Sequence, residues 1–74
     1  MQRLLQTDRQ RLGQNISRHR SKLGFTQEQL AEAAGIDRRF LQKLEAGELG
    51  TSLAVLKRLR KALKIGWEDL LKGL

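Results

Sequence analysis

The sequence predicts an all-α protein: a compact unit of five helices, spanning residues 1–74 as a single domain. Three observations lead there. Leucine, isoleucine and alanine recur at helical intervals in successive windows of the chain. Thr, Ser or Asp stands where most of those windows open, and glycine stands where they close. The 74 residues also contain no proline, no cysteine and no tyrosine. A chain this short buries only about 60% of its unfolded surface, so its stability is expected to be modest unless it dimerises.

The first window runs to Gly24, with Thr7 or Asp8 as its cap and Leu12, Ile16, His19, Arg20 and Leu23 on one face. Helix is expected from about Asp8, which leaves residues 1–7, with Leu4 and Leu5, as an arm or a helix extension. Thr26-Gln27-Glu28-Gln29 matches a capping box, in which Thr26 caps the second helix and Gln29 reaches back. Phe25 is placed to staple against Leu30. That helix ends at Ala34, and Gly35 provides the bend, where a left-handed backbone costs glycine little. Asp37 is the expected side-chain cap of the third helix, Arg38 to about Glu45, which Gly47 stops. Residues 46–51 form a loop. Ser52 caps the fourth helix, whose apolar face reads Leu53, Leu56, Leu59, Ala62 and Leu63, with Val55 beside it. Gly66 breaks it, and Trp67 to Leu71 forms a fifth helix with Glu68 and Asp69 in its first turn.

Residues 27–44, QEQLAEAAGIDRRFLQKL, are the centre of this reading. Two short helices enclose a tight turn, with Leu30, Ala31, Ala34, Ile36, Leu41 and Leu44 apolar or small. A larger side chain at Ala31 would push the two helices apart. Arg38, Arg39, Gln42 and Lys43 fall away from Leu41 and Leu44, leaving a basic, amide-bearing surface on a small rigid support. That is the pattern of a helix-turn-helix.

The net charge of +7, from fifteen Lys and Arg against eight Asp and Glu, favours a polyanionic partner. Its distribution is uneven. Residues 1–24 carry six cations and one acid, and residues 51–74 six cations and two acids. Residues 25–50 carry three cations against five acids, so the motif lies in the most acidic third. Without cysteine there is neither a disulfide framework nor a thiolate metal site. No apolar run is long enough for a signal peptide or for a span of roughly 20 residues. A cytoplasmic protein, at the nucleoid when bound to DNA, is the expectation. No acid pair, nucleophile–base set or metal spacing suggests an enzyme, and no cofactor or metal is expected.

From Arg20 to Leu71 the chain resembles the DNA-binding domain of phage repressors and Cro proteins, the XRE-type helix-turn-helix family. The similarity covers roughly residues 12–71. It rests on Thr26-Gln27, Leu30-Ala31, Gly35, the Leu41 and Leu44 pair, Glu45 followed by Gly47, and the Leu56, Leu59, Leu63 ladder. Gly50-Thr51-Ser52 departs from the proline that members often carry before the fourth helix. The resemblance implies a lambda-repressor-like fold and, in most members, operator binding as a dimer. It also implies that Gln27 approaches a DNA phosphate at a helix N-terminus, and that Arg20 and Glu45 pair to tie the first helix to the end of the third.

Arg can grip guanine O6 and N7 as a fork and Gln can grip adenine N6 and N7, which makes Arg38, Arg39, Gln42 and Lys43 the candidate base contacts. A solvated charged face is the ordinary role for such residues; the surrounding motif favours double-stranded DNA. Phe40 is assigned to packing, and His19, without a second histidine, to a surface or boundary position. Thr51 in the loop and Lys57 on the fourth helix are the further candidate phosphate contacts. The remaining cations of that helix, Arg58, Arg60, Lys61 and Lys64, raise the general potential. Part of the apolar group Trp67, Leu70, Leu71 and Leu74 is expected to close the core against the first helix; the remainder, with Leu49 beside it, is the candidate homodimer surface, and Leu4 and Leu5 are a rival.

The function expected is a sequence-specific transcriptional regulator, a repressor on a near-palindromic operator. The alternative is an antitoxin or adaptor that uses the same fold to hold a protein such as a toxin. A membrane-surface helix over residues 1–24 fits poorly with the companion helices.

Overall fold

A computed structural model describes the backbone of residues 2–74 and the side chains from Thr7 onward. The described residues form five helices: α1 (Gln2–Lys22), α2 (Gln27–Ala34), α3 (Arg38–Glu45), α4 (Leu53–Leu63) and α5 (Trp67–Leu70). The α2 and α3 boundaries and the start of α4 are those the caps and glycines predict. α1 is longer than expected, so Thr7 and Asp8 lie within a helix and neither is its cap. The side chains of Leu4 and Leu5 fall outside the described residues.

Apolar stripes from all five helices meet in one core. Leu12 and Ile16 come from α1, Leu30, Ala31 and Ala34 from α2, Leu41 and Leu44 from α3, Leu59 and Leu63 from α4, and Leu70 from α5. α1 packs on α3 and α5, and α2 packs on α3 and α4. Phe25 and Phe40 cover the core's edge. Leu53 corrects the expected α4 stripe, since it is 61% exposed. It stands six residues before Leu59, which turns it about 120° around the helix from the buried face.

The ends of these helices are specified locally. Thr26 Oγ1 accepts from Gln29 N at 3.0 Å while the Gln29 side chain accepts from Thr26 N at 2.9 Å, a complete capping box. Ser52 Oγ accepts from Val55 N at 3.2 Å. Asp37 has the extended backbone of a cap, but its carboxylate makes no capping bond. Its main-chain carbonyl alone opens α3, accepting from Leu41 N at 3.1 Å. At the α2–α3 turn Gly35 is left-handed at φ 67°. Ile36 N reaches back to Ala31 O at 2.9 Å and Gly35 N to Glu32 O at 3.2 Å, the paired bonds of a Schellman ending. α4 closes with the same bonds, but its left-handed residue is Lys64, at φ 58°, and not Gly66. Gly66 instead precedes α5 as its cap.

A candidate nucleic-acid interface on α3

Helix α3 turns Leu41 and Leu44 fully into the core and half-buries Phe40 beside them. At 3.6 residues per turn, the opposite arc carries Arg38, Arg39, Gln42 and Lys43, and all four are exposed. The structure therefore brings the four candidate base contacts onto one face of one helix. α2 packs behind α3, with Ala31 and Ala34 buried where the two helices close.

The end of α3 is anchored by a network. Arg20 Nε donates to Glu45 Oε2 at 2.8 Å and its Nη2 to Glu45 Oε1 at 3.1 Å. Arg20 Nη1 also donates to the Phe25 carbonyl at 2.8 Å, fixing the α1–α2 loop. Gln27 Nε2 adds a third bond to the same carboxylate, reaching Oε1 at 3.0 Å. The side chains are 17% and 6% exposed for Arg20 and Glu45, so this pair is largely withdrawn from water. Withdrawn charges persist only when paired and hydrogen-bonded, and both conditions hold. The amide nitrogen of Gln27 is thus turned to Glu45, at the N-terminus of α2.

Thr51 is half-buried in the α3–α4 loop, and Lys57 is exposed on α4. Arg60 does not belong with the free cations of that helix. Its guanidinium lies 5.2 Å from the centre of the Trp67 ring, and its Nη1 donates to the Ile65 carbonyl at 3.3 Å. A cation held over an indole face by the ring quadrupole joins α4 to α5.

The candidate dimer surface divides. Leu70 is fully buried and closes the core against α1, so its side chain offers nothing to a partner. A four-residue helix has few apolar positions to spare, and this one is consumed by the core. Trp67 and Leu49 are half-buried against the core. Leu71 and Leu74 are 36% and 50% exposed.

Two positions that hold α1 against its neighbours escaped the sequence reading. Gly13 is buried where α1 crosses the end of α3: a Cβ there would lie 2.5 Å from the carbonyl oxygens of both Leu44 and Glu45. Asn15 is 5% exposed and donates through Nδ2 to the carbonyls of Leu70 and Lys72, each at 2.9 Å. Its Oδ1 accepts from Arg18 Nη2 at 2.9 Å. Asn15 was detectable as a polar residue set between Leu12 and Ile16 on an otherwise apolar stripe. His19 titrates below its ordinary 6.5, through partial burial first and then the charges of Lys22, Arg18 and Lys72, with Asp69 opposing them. Among the described residues no cluster of His, Cys, Asp or Glu could hold a metal ion, and no helix is long and apolar enough to cross a membrane.

A tight two-helix turn on a five-helix support, with a basic second helix facing outward, defines a helix-turn-helix regulator. Residues 16–70 match the helix-turn-helix family, and the chain belongs to it as a DNA-binding transcriptional regulator of the XRE type. The chain is 44% identical over 48 residues to an uncharacterized HTH-type transcriptional regulator of Methanothermobacter thermautotrophicus, a match covering 65% of this chain and 70% of that relative. It is also similar to the crystal structure of the restriction-modification controller protein C.AhdI from Aeromonas hydrophila. That likeness has a TM-score of 0.83 at 33% identity, over 86% of this chain and 97% of that one.

Proposed function

We propose that residues 1–74 act as one DNA-binding unit that represses transcription, binding a near-palindromic operator as a homodimer. Helix α3 enters the major groove, where Arg38, Arg39, Gln42 and Lys43 read base edges. The backbone N–H of Gln27 at the α2 N-terminus, Thr51 and Lys57 contact backbone phosphates and set the register. Two copies of α3 then lie about 34 Å apart, one helical turn of the duplex. Leu71 and Leu74, with the exposed edges of Trp67 and Leu49, form the contact between copies. The protein works in the cytoplasm, at the nucleoid, as a binding protein and not as an enzyme.

One observation carries this reading: four polar side chains are exposed together on the face of α3 opposite Leu41 and Leu44. The helix that presents them is locked at its far end by Arg20, Gln27 and Glu45. A rigid helix loses little freedom on docking, which favours a reading surface over a merely solvated one.

Selection of bound duplexes from a random pool tests it. Enrichment of a sequence with two-fold symmetry and half-sites one turn apart is expected. Enrichment of an asymmetric site would remove the dimer, and no enrichment at all would remove base reading by α3.

A further inference from the structure

The face of α1 turned away from α3 carries a second feature. A cleft of about 370 Å³ opens between α1 and the chain at and beyond α5, lined chiefly by Arg11, Arg18, His19, Lys22, Asp69 and Lys72. Its volume falls within the roughly 300–1,000 Å³ of small-ligand sites. Helix geometry separates it from the interface described above. Gly13 and Arg20 meet α3, and Gln10 meets Gly47. At about 100° per residue, Arg11, Arg18 and Lys22 point to the other side of the helix.

Four cations (Arg11, Arg18, Lys22 and Lys72) face a single carboxylate, Asp69, so the cleft holds an excess of three positive charges even with His19 neutral. One of the cations is positioned by the fold, and another lies close against the backbone. Arg18 is held by Asn15 Oδ1 at 2.9 Å, and Asn15 is itself fixed to the carbonyls of Leu70 and Lys72. The Arg11 guanidinium lies against Gly73, where a Cβ would come within 2.9 Å of its Nη1. Like charges gathered in a concavity repel one another and are relieved by a multivalent anion. Burial first, and then the charges of Lys22, Arg18 and Lys72, lower the titration of His19 within the cleft, with Asp69 opposing them. His19 is faced by Arg18 and Lys22 on α1, by Asp69 on α5 and by Lys72 beyond it.

We propose that the cleft between α1 and α5 binds a phosphate-bearing anion, on the side of the molecule opposite α3. Arginine forks and lysine ammonium groups suit the several oxygens of a phosphate group. That phosphate belongs either to a free phosphorylated small molecule or to the backbone of a second DNA segment. A ligand there bridges α1 and α5 at Asn15.

His19 is the only histidine in the chain, so its ring signals in a proton NMR titration report the cleft without ambiguity. With inorganic pyrophosphate, the His19 signals shift saturably and its titration midpoint moves up, since the bound anion favours the imidazolium. The double variant Arg11→Gln/Lys22→Gln binds about tenfold more weakly or worse, because two attractive charges are gone. Asp69→Asn binds more tightly. Thermal melts check that each variant folds; should the double variant melt early, Lys22→Gln and Asp69→Asn supply the opposite-signed pair alone. Repeating the titration with a non-operator duplex, in the Arg39→Ala/Lys43→Ala background, separates the sources. A His19 response to pyrophosphate alone identifies a free ligand, and a response to the duplex alone identifies a second DNA segment. Silence of His19 toward both probes, or equal binding by wild type and the charge variants, overturns the proposal. DNA binding by α3 would stand untouched by that result.

Discussion

The arginines of α3 and the arginine at the α1–α3 junction are the same side chain put to opposite uses. Arg38 and Arg39 stand exposed at the start of α3. Arg20 makes two bonds to Glu45 and one to the Phe25 carbonyl, with its side chain 17% exposed. A guanidinium in water contributes little to folding and is available to a partner. One withdrawn from water is engaged by the protein and unavailable to anything else. Arg60, stacked on Trp67, belongs with Arg20. Burial, not residue type, separates the cations that hold this molecule from those left available to a partner.

The sharpest break of that contrast comes at Arg20. Arg20→Ala strands the Glu45 carboxylate, which is 6% exposed and left with only Gln27. Removing one partner of a buried pair costs about 3–5 kcal/mol, and the partial exposure of Arg20 places this one toward the lower figure. A loss of about 10 °C or more in melting temperature should follow in calorimetry. A folded fraction, isolated at low temperature, should keep its base preference. Loss of specificity with an unchanged melt would contradict the structural assignment.

The next largest effect is expected at Gly13. A methyl group there meets two main-chain oxygens at 2.5 Å, and backbone cannot swing aside as a side-chain end can. Gly13→Ala should destabilise by about 1–3 kcal/mol, as overpacking of a filled core does. The favourable helix propensity of alanine, about 1 kcal/mol over glycine, offsets part of it. Since the collision is with the end of α3, weakened operator binding should accompany the lower melting temperature.

Arg39→Ala and Lys43→Ala should do the converse. Each should weaken binding to a selected operator by about 1–3 kcal/mol if it reads a base. Melting should be unchanged within error, because both side chains are exposed and distant from the core. Anisotropy titrations at fixed salt measure the first effect and calorimetry the second. Unchanged operator affinity in both variants would take α3 out of the reading.

These contrasts also mark how far the sequence could be followed. Thr26, Gly35 and Ser52 specify ends within a few residues of themselves, so the helices from α2 to α4 were legible from local chemistry. The outward face of α3 was legible for the same reason: the spacing of Leu41 and Leu44 decides where Arg38, Arg39, Gln42 and Lys43 point. What depended on distant partners was not. Gly13 reads as a poor helix residue until α3 is laid across it. Which of Trp67, Leu70, Leu71 and Leu74 closes the core is decided only when α1 covers Leu70. The cleft is assembled from Arg11, Arg18 and Lys22 on α1 together with Asp69 and Lys72, some fifty positions on in the chain. No local pattern announces that convergence, just as none shows Asp37 failing to cap.

The smallest effect compares two helix endings. α2 and α4 close with the same pair of backbone bonds, but the left-handed position is Gly35 in one and Lys64 in the other. For a residue with a Cβ that conformation costs about 1–2 kcal/mol. Lys64→Gly should remove this strain, while glycine's extra freedom in the unfolded chain returns up to about 1 kcal/mol of the gain. The lysine charge beside the carbonyl end of α4 is worth a further 0.3–1 kcal/mol, roughly, and would be lost. A net stabilisation of about 0.5 kcal/mol is expected, a rise of roughly 2–4 °C in melting temperature. Lys64→Asn separates the terms, since asparagine tolerates the left-handed backbone and is uncharged. A fall in melting temperature for both variants would mean that the charge at the end of α4 outweighs the strain. Lys64 would then join Arg20 and Arg60 among the cations that hold the fold, in spite of its exposure.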